Sequence, residues 1–454
     1  MTESPGTILP GSALSRRLLD EYTAVRESLP AGVVSSELRQ AAIEALAARG
    51  LPTTREENWR YTNLRPLERA RFAPAAAAAA VSGAPTVPAA TDLPARLEGF
   101  ARYTFVDGAF APPLSSPDEQ AGLTVHSLRP AHRGSAAVAR LPRALPAASS
   151  LPEARLALLN EAFATDTAGI RAGGGASPQR VELVFVAVAG ADEGASYPRV
   201  HVTLDPGARL VLVERHLSVG SGANFVNSAV QVDTGRDAEL THYRLQSAGP
   251  RAMWLDTLSA ILAASSRYRL LTVNTGALSA RTTTHVQMAG AGAELTLAAA
   301  ALGGRQQVQD HFALVEHVAP RTRTEQIFRG IASGRARVAF NGKIVVREGA
   351  AGTDSRQSLR GLLAGPEAEI DVRPQLEIYT DDVRCSHGAT AGKLDDQMLF
   401  YLLSRGLSPE VAQRLLKWAF LGDVIARTDL PALRRQIEAR LAGQLHDEAL
   451  RELL

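Results

Sequence analysis

The chain has 454 residues, and what it lacks removes whole classes of explanation. It has one cysteine, Cys385, so no internal disulfide can form, and it cannot alone supply the four thiolates of a structural zinc or an iron–sulfur cluster. Any metal chemistry must borrow ligands. Neither sign of charge is in excess: 49 Lys+Arg against 47 Asp+Glu leave a formal +2, which exerts no global pull toward nucleic acid or an anionic membrane. No run of ~18 apolar residues occurs; the longest low-complexity run, residues 75–80, is short and weakly apolar. Residues 1–6 lack the basic start and apolar core of a signal peptide, so a cytoplasmic location is expected. Lysine is scarce (Lys343, Lys393 and Lys417 only), which together with abundant alanine reads as coding bias. There is no phosphate-binding loop, because Gly342-Lys343 continues into Ile344 and Gly392-Lys393 into Leu394. The chain is not expected to hydrolyse ATP itself.

What is present changes texture twice along the chain. Between about residues 11 and 50 apolar positions recur at helical spacing, as in Leu14, Leu18, Tyr22 and Val25 and then Leu38, Ala42, Ala45 and Leu46, predicting two or three helices. Thr54-Arg55-Glu56-Glu57 fits a capping box starting at Thr54, followed by a short turn carrying Trp59 and Tyr61. Residues 74–94 and 133–152 are Ala/Pro-rich and read as linkers or loops. Between them Tyr103 to Gly108 suggests a strand ending in a turn, and after them residues 153–163 suggest a helix.

From about residue 180, short strands rich in Val, Leu and Thr are cut by Gly, Asp and Asn for some 200 residues. A turn-then-strand phrase recurs, and its alanine falls at positions 208, 238, 293 and 368, with gaps of 30, 55 and 75 residues. These lie near one, two and three times a period of ~25–30, as in a β-solenoid whose coils bury their apolar faces against each other. A β-sandwich or barrel shares the turn spacing, but the length of the run favours a parallel β-helix. After Lys393 helical spacing returns. Leu394, Met398, Tyr401 and Leu402 share a face ended by Gly406, and Ser408-Pro409-Glu410 caps a helix striped with Val411, Leu415, Trp418, Ala419 and Ile425. A last helix, capped by Asp429, carries Leu433, Ile437, Leu441 and Leu445.

Candidate chemistry concentrates in Pro374 to Gly388. If the strand that alternates Leu376/Ile378 with Glu377/Tyr379 persists to His387, Cys385 and His387 point to one face. Thiolate and imidazole suit iron or zinc. The plainer reading is a small buried cysteine and a histidine bonded to a backbone carbonyl at a strand-to-helix junction; from chemistry alone it prevails, since two ligands make a weak metal motif. A Cys385–His387 nucleophilic dyad is awkward for neighbours on one strand. His201, His216, His311 and His317 read as core or surface histidines. Asp381-Asp382 read as turn formers, because adjacent strand residues point to opposite faces.

Two segments resemble a known family. Arg55-Glu56-Glu57-Asn58-Trp59-Arg60-Tyr61-Thr62 is similar to the Arg-Glu-Glu-x-Trp-Lys-Tyr-Thr signature of the SufD family, with Arg60 where lysine is usual. Pro374 to Gly388, followed by Ala389-Thr390-Ala391-Gly392 and residues 395–406, resembles that family's most characteristic block. The resemblance implies a mainly β fold: an N-terminal helical region (1–72), a linker-rich α/β region (73–164), a right-handed parallel β-helix core (165–385) and a C-terminal helical subdomain (386–454). It implies a non-catalytic scaffold in a SufB–SufC–SufD complex that assembles iron–sulfur clusters and passes them to apoproteins. The β-helix would pair with that of SufB, the C-terminal helices would dock the ATPase SufC, and a homodimer could form when the chain is alone. His387, with Cys385 as a possible second ligand, would touch a transient cluster shared with SufB. The SufB-type paralogue is the nearest alternative. It is expected to carry a cysteine shortly before Leu362-Leu363-Ala364-Gly365 and a Glu-His-Glu-Ala-Thr type block; this chain has Ser358-Leu359-Arg360 and one cysteine in all. A β-helix enzyme acting on polysaccharide is the rival from another class, disfavoured by the lack of an export signal and by acids that read as scattered in turns.

Overall fold

The structure is a computed structural model describing residues 13–75, 88–128, 151–175, 177–188 and 194–445. Most of the two Ala/Pro-rich stretches, and the chain before residue 13, lie outside the described residues.

Alternation along each strand dictates a sheet with two unlike faces. In the strand Arg337–Val346, Val338, Phe340, Ile344 and Val346 are buried in one interior cluster, while Asn341 and Lys343 face outward. Repeated along the chain, this pattern builds two ten-stranded sheets that face each other. The first runs through Ala109–Phe110, Ala101–Val106, Gln179–Val188, Arg209–Val219, Glu239–Ser247, Arg267–Asn274, Glu294–Gly303, Arg323–Ala332, Thr353–Leu363 and Val383–Gly392. The second runs back from Glu369–Ile378 through Arg337–Val346, Val308–His317, Ser279–Met288, Met253–Leu262, Asn224–Thr234, Arg199–Leu204, Ala168–Ala172 and Leu123–Ser127, with Gly194–Ser196 beside Asn224–Thr234. From Arg199 onward each coil gives one strand to each sheet and every pairing is parallel. This is the β-solenoid expected from the repeat.

The repeat is more regular than the alanine phrase suggested. Strands of the first sheet begin at 209, 239, 267, 294, 323, 353 and 383, at intervals of 27–30 residues. Ala208, Ala238 and Ala293 sit fully buried at the corner leading into that sheet, whereas Ala368 leads into the second sheet. The 75-residue gap is therefore two and a half coils rather than three. The intervening corners carry Ser266, Thr322 and Thr353 in the alanine's place. At each of these corners the preceding residue takes a positive φ (Gly207, Asp237, Ser265, Gly292, Arg321, Gly352), although only three of the six are glycine. Non-glycine residues at these corners interrupt the recurring phrase without changing the period.

At the N-terminal side, helices α1 (Ala13–Val25), α2 (Ser36–Arg49) and α3 (Ala157–Phe163) form a second core. Leu18, Tyr22, Ile43, Leu46 and Phe163 pack there against Tyr197, Phe225 and Leu255 of the solenoid side. The capping box lies one residue earlier than expected: the Glu56 carboxylate accepts the Thr53 N–H at 3.0 Å and the Thr53 hydroxyl accepts the Arg55 N–H at 3.4 Å. These bonds close the turn Thr53–Glu56, which leads into a 3₁₀ turn, Glu57–Trp59, that has no side-chain cap of its own, and Glu57 is left to pair with Arg373.

At the other end β structure continues through Gly392, past residue 385, because pairing with Thr353–Leu363 is unbroken to Leu362–Gly392. Helices α4 (Asp396–Ser404), α5 (Pro409–Ile425) and α6 (Pro431–Gln444) follow. Gly406 has the positive φ of a helix-stopping glycine, and the Ser408 hydroxyl accepts the Val411 N–H at 3.4 Å, as expected. Asp429 does not cap α6. Its backbone N–H donates to the Tyr243 hydroxyl at 3.1 Å and its carboxylate pairs with Arg269 at 2.7 Å, tethering the α5–α6 turn to the solenoid. The apolar stripe of α5 divides between two fates: Leu421, Val424 and Ile425 pack with α6 onto the outer face of the first sheet, while Val411 and Leu415 stay exposed.

Candidate functional site at the open end of the solenoid

The last coil consists of Glu369–Ile378 and Val383–Gly392, and each strand terminates its sheet with one neighbour. Each therefore presents a row of backbone N–H and C=O groups on its free side. Pro374, which has no N–H to donate, is tolerable there because the strand is an edge. The interior residues of this coil are half-exposed, unlike their buried equivalents one coil earlier, and Tyr379 at the following bend is 58% exposed. Solenoid ends that face solvent are normally capped; here the edge and its apolar interior are both open among the described residues.

Cys385 and His387 lie on this edge. The strand is extended through both, as the alternation argument required, with Cys385 opposite Ser355 and His387 opposite Gln357. Ser355 and Gln357 are buried, so the register puts Cys385 and His387 over the solenoid interior. They do not sit at a strand-to-helix junction, since α4 begins only at Asp396. Cys385 is half-buried against the interior cluster. Burial, and then the nearby Asp354 carboxylate, push its thiol pKa up, while a hydrogen bond from the Ser355 backbone opposes the rise. That environment does not prime a nucleophile. His387 is the exposed histidine among the described residues. The others carry packing or ion-pair roles: His201 faces Asp233 at 3.1 Å, His285 faces Glu316 at 2.8 Å, and His317 lies between the Thr322 and Thr324 hydroxyls at 2.7 and 3.1 Å. No group of three or more His, Cys, Asp and Glu among the described residues could hold a metal ion. The pair at the mouth supplies at most part of a coordination sphere.

Acidic residues prove to be organised differently from the expectation that they sit in turns. Glu182, Glu214, Asp256 and Asp310 lie on strands, are buried, and each pairs with an arginine. Glu214 also accepts from His216 and His242 at 2.5 and 3.1 Å, and the Arg244 guanidinium is the chief influence holding its carboxyl well below the usual range against the cost of burial. These acids neutralise buried cations and do not line a groove. Asp381 and Asp382 are exposed in the bend between the last two strands, as turn formers should be.

Sequence reasoning missed how the N-terminal signature connects to this end. Trp59 is buried under the Arg281 guanidinium, whose carbon lies 3.8 Å from the ring centre. Arg281 pairs with Asp310, and Asp310 accepts the Thr62 hydroxyl at 2.5 Å. Asn58 donates to Glu153 at 2.7 Å and accepts from Asn341 at 2.9 Å, and Glu57 pairs with Arg373 on the last coil. The N-terminal signature thus spans four successive strands of the second sheet, from Arg281 to Arg373, and reaches the last coil through Glu57, next to the second segment.

Comparison with known proteins agrees with this architecture. Residues 186–420 match the family model described as SUF system FeS cluster assembly, SufBD core domain, and residues 13–170 match the SufBD protein N-terminal region. The iron-sulfur cluster assembly protein SufD of Escherichia coli is 30% identical over 91% of this chain and 94% of its own length. A SufBD family protein of Synechocystis is 29% identical over 88% of both chains, and one of Mycobacterium tuberculosis is 29% identical over 59% of this chain and 68% of its own. On the matched core, the matched N-terminal region and this coverage, the chain belongs to the SufBD family and is a SufD homologue.

Proposed function

We propose that this protein is a non-catalytic scaffold subunit of a cytoplasmic SufB–SufC–SufD complex that assembles iron–sulfur clusters and passes them to apoproteins. The observation that carries the reading is the open last coil, on which Cys385 and His387 stand beside unpaired strand edges. An edge of this kind is completed by adding a strand from a partner sheet, and the β-helix of SufB has the matching form. A cluster held at that junction would draw on His387, with Cys385 as a second ligand, and take its remaining ligands from SufB. Imidazole can replace thiolate at cluster iron, as in Rieske centres, so the residues fit the cargo. ATP hydrolysis in the complex would be the work of SufC, whose cycle would rearrange the interface.

Support for a SufC surface comes from α4 and the start of α5, where Met398, Phe400, Tyr401, Val411 and Leu415 are all exposed, Phe400 at 72%. Contiguous exposed apolar groups on neighbouring helices mark interaction surfaces. The test is co-expression of this chain with SufB and SufC. A stable cluster-bearing complex is expected, with cluster lost in His387→Ala and SufC lost, but SufB retained, in Phe400→Glu with Leu415→Glu. Normal cluster yield in His387→Ala would refute the ligand role, and recovery of a homodimer alone would refute the heterocomplex.

A further inference from the structure

The interior of the first sheet changes character toward its open end. One inward-facing column reads Leu212, His242, Leu270, Leu297, Gln326, Gln357 and His387, one residue per coil and in register. Gln326 and Gln357 are buried, Gln357 at 4% exposure. Gln357 Nε2 donates to Gln326 Oε1 at 2.9 Å and to the Gly342 carbonyl of the facing sheet at 3.0 Å. Gly342 makes this possible, since a Cβ there would stand 2.9 Å from both amides.

Chemistry fixes which way the Gln357 amide points. The Gly342 carbonyl only accepts, so the nitrogen must face it and the oxygen must face elsewhere. That oxygen, Gln357 Oε1, is buried and has no hydrogen-bond partner among the described residues. Leaving such an acceptor unpaired costs ~1–3 kcal/mol. The next position along the column is His387, one strand spacing away at about 4.8 Å, and its ring carries an N–H. In a stacked amide ladder each oxygen accepts from the next rung, and the Gln357-to-Gln326 bond already sets that direction.

We propose that Gln357 Oε1 accepts the ring N–H of His387, completing a three-rung ladder, Gln326–Gln357–His387. The bond fixes one imidazole tautomer and turns the other ring nitrogen, with its lone pair, to the mouth. Ligating histidines are commonly oriented in this way by an acceptor on the far nitrogen. Gln357 is a positioning residue, and its purpose rests on the reading of His387 as a cluster ligand.

The test is ¹⁵N NMR of the full-length chain labelled at histidine, at about pH 8.5, well above the ordinary imidazole range, with His387 assigned through His387→Ala. Two widely separated ring-nitrogen resonances, the signature of a fixed tautomer, are expected for wild type and for Gln326→Leu, which keeps Gln357 Oε1. In Gln357→Met they should converge toward the averaged pair of free imidazole. Averaged resonances in wild type would overturn the proposal without any variant having to fold, and so would unchanged separation in Gln357→Met. Cluster assembly is scored separately. A fixed tautomer with normal assembly by His387→Ala upholds the ladder and removes the ligand reading, whereas an averaged tautomer with assembly lost in His387→Ala does the reverse.

Discussion

Replacing Arg281 with alanine tests how the N-terminal signature is fastened to the solenoid. Arg281 and Asp310 are each 1% exposed, and the guanidinium both pairs with Asp310 and covers the Trp59 ring at 3.8 Å. Removing it leaves a buried carboxylate supported by the Thr62 hydroxyl. Breaking a buried pair from one side costs ~3–5 kcal/mol, and a desolvated cation–π contact adds ~2 kcal/mol, so a loss near ~5 kcal/mol is expected. Because coils of a solenoid can open separately, the assay should combine urea unfolding with hydrogen exchange at Trp59 and Thr62, whose amides close the local turn onto Glu56 and Trp59. At ~1.4 kcal/mol per factor of ten, their exchange should speed up by roughly a thousandfold or more. Arg281→Met with Asp310→Asn removes both charges and should recover most of the loss, since neutral replacement of a buried pair is often tolerated. A change below ~1 kcal/mol in Arg281→Ala, or a double variant no better than the single one, would refute the account.

Two further outcomes follow from the interior. Burial holds the pKa of His311 down to about 3 and that of His317 to about 4, so the unfolded chain takes up protons near pH ~6.5 while the folded chain does not. Their contribution to stability is complete above that pH and is lost as pH falls, by ~3 kcal/mol for each residue at about pH 4. His317→Gln should flatten the acid side of a stability-against-pH curve by about one proton, and an unchanged slope would contradict this. At Gly361 a Cβ would stand 2.1 Å from Ile370 Cγ2 of the last coil. Gly361→Ala should therefore cost ~1–3 kcal/mol by overpacking, and Ile370→Ala in the same chain should relieve it; equal unfolding midpoints for the single and double variants would exclude the clash.

Local rules carried far along this chain. Short runs rich in Val, Leu and Thr cut by turn residues identified the strands, Gly406 and Ser408 were visible as helix stop and start, and the single thiol already excluded a four-thiolate site held by this chain alone. Where local reasoning failed, a distant group had won the residue. Asp429 is claimed by Tyr243 and Arg269 rather than by the helix it precedes, and Glu57 by Arg373 rather than by a capping box. The acids assigned to turns were taken into strands because arginines on neighbouring strands neutralise them.

Sequence by itself thus determined the class of fold, the start and stop of the C-terminal helices at Ser408 and Gly406, and the family, because these depend on neighbours a few residues away or on contiguous motifs. Tertiary structure alone decided which residues meet across coils: the Trp59–Arg281–Asp310 fastening, the corner positions taken by Ser266, Thr322 and Thr353, and the column that stacks Gln326 and Gln357 beneath His387. The physical reason is register. A slip of one residue in any coil would turn every side chain of that strand to the opposite face, and what holds the register is pairing between segments 27–30 residues apart.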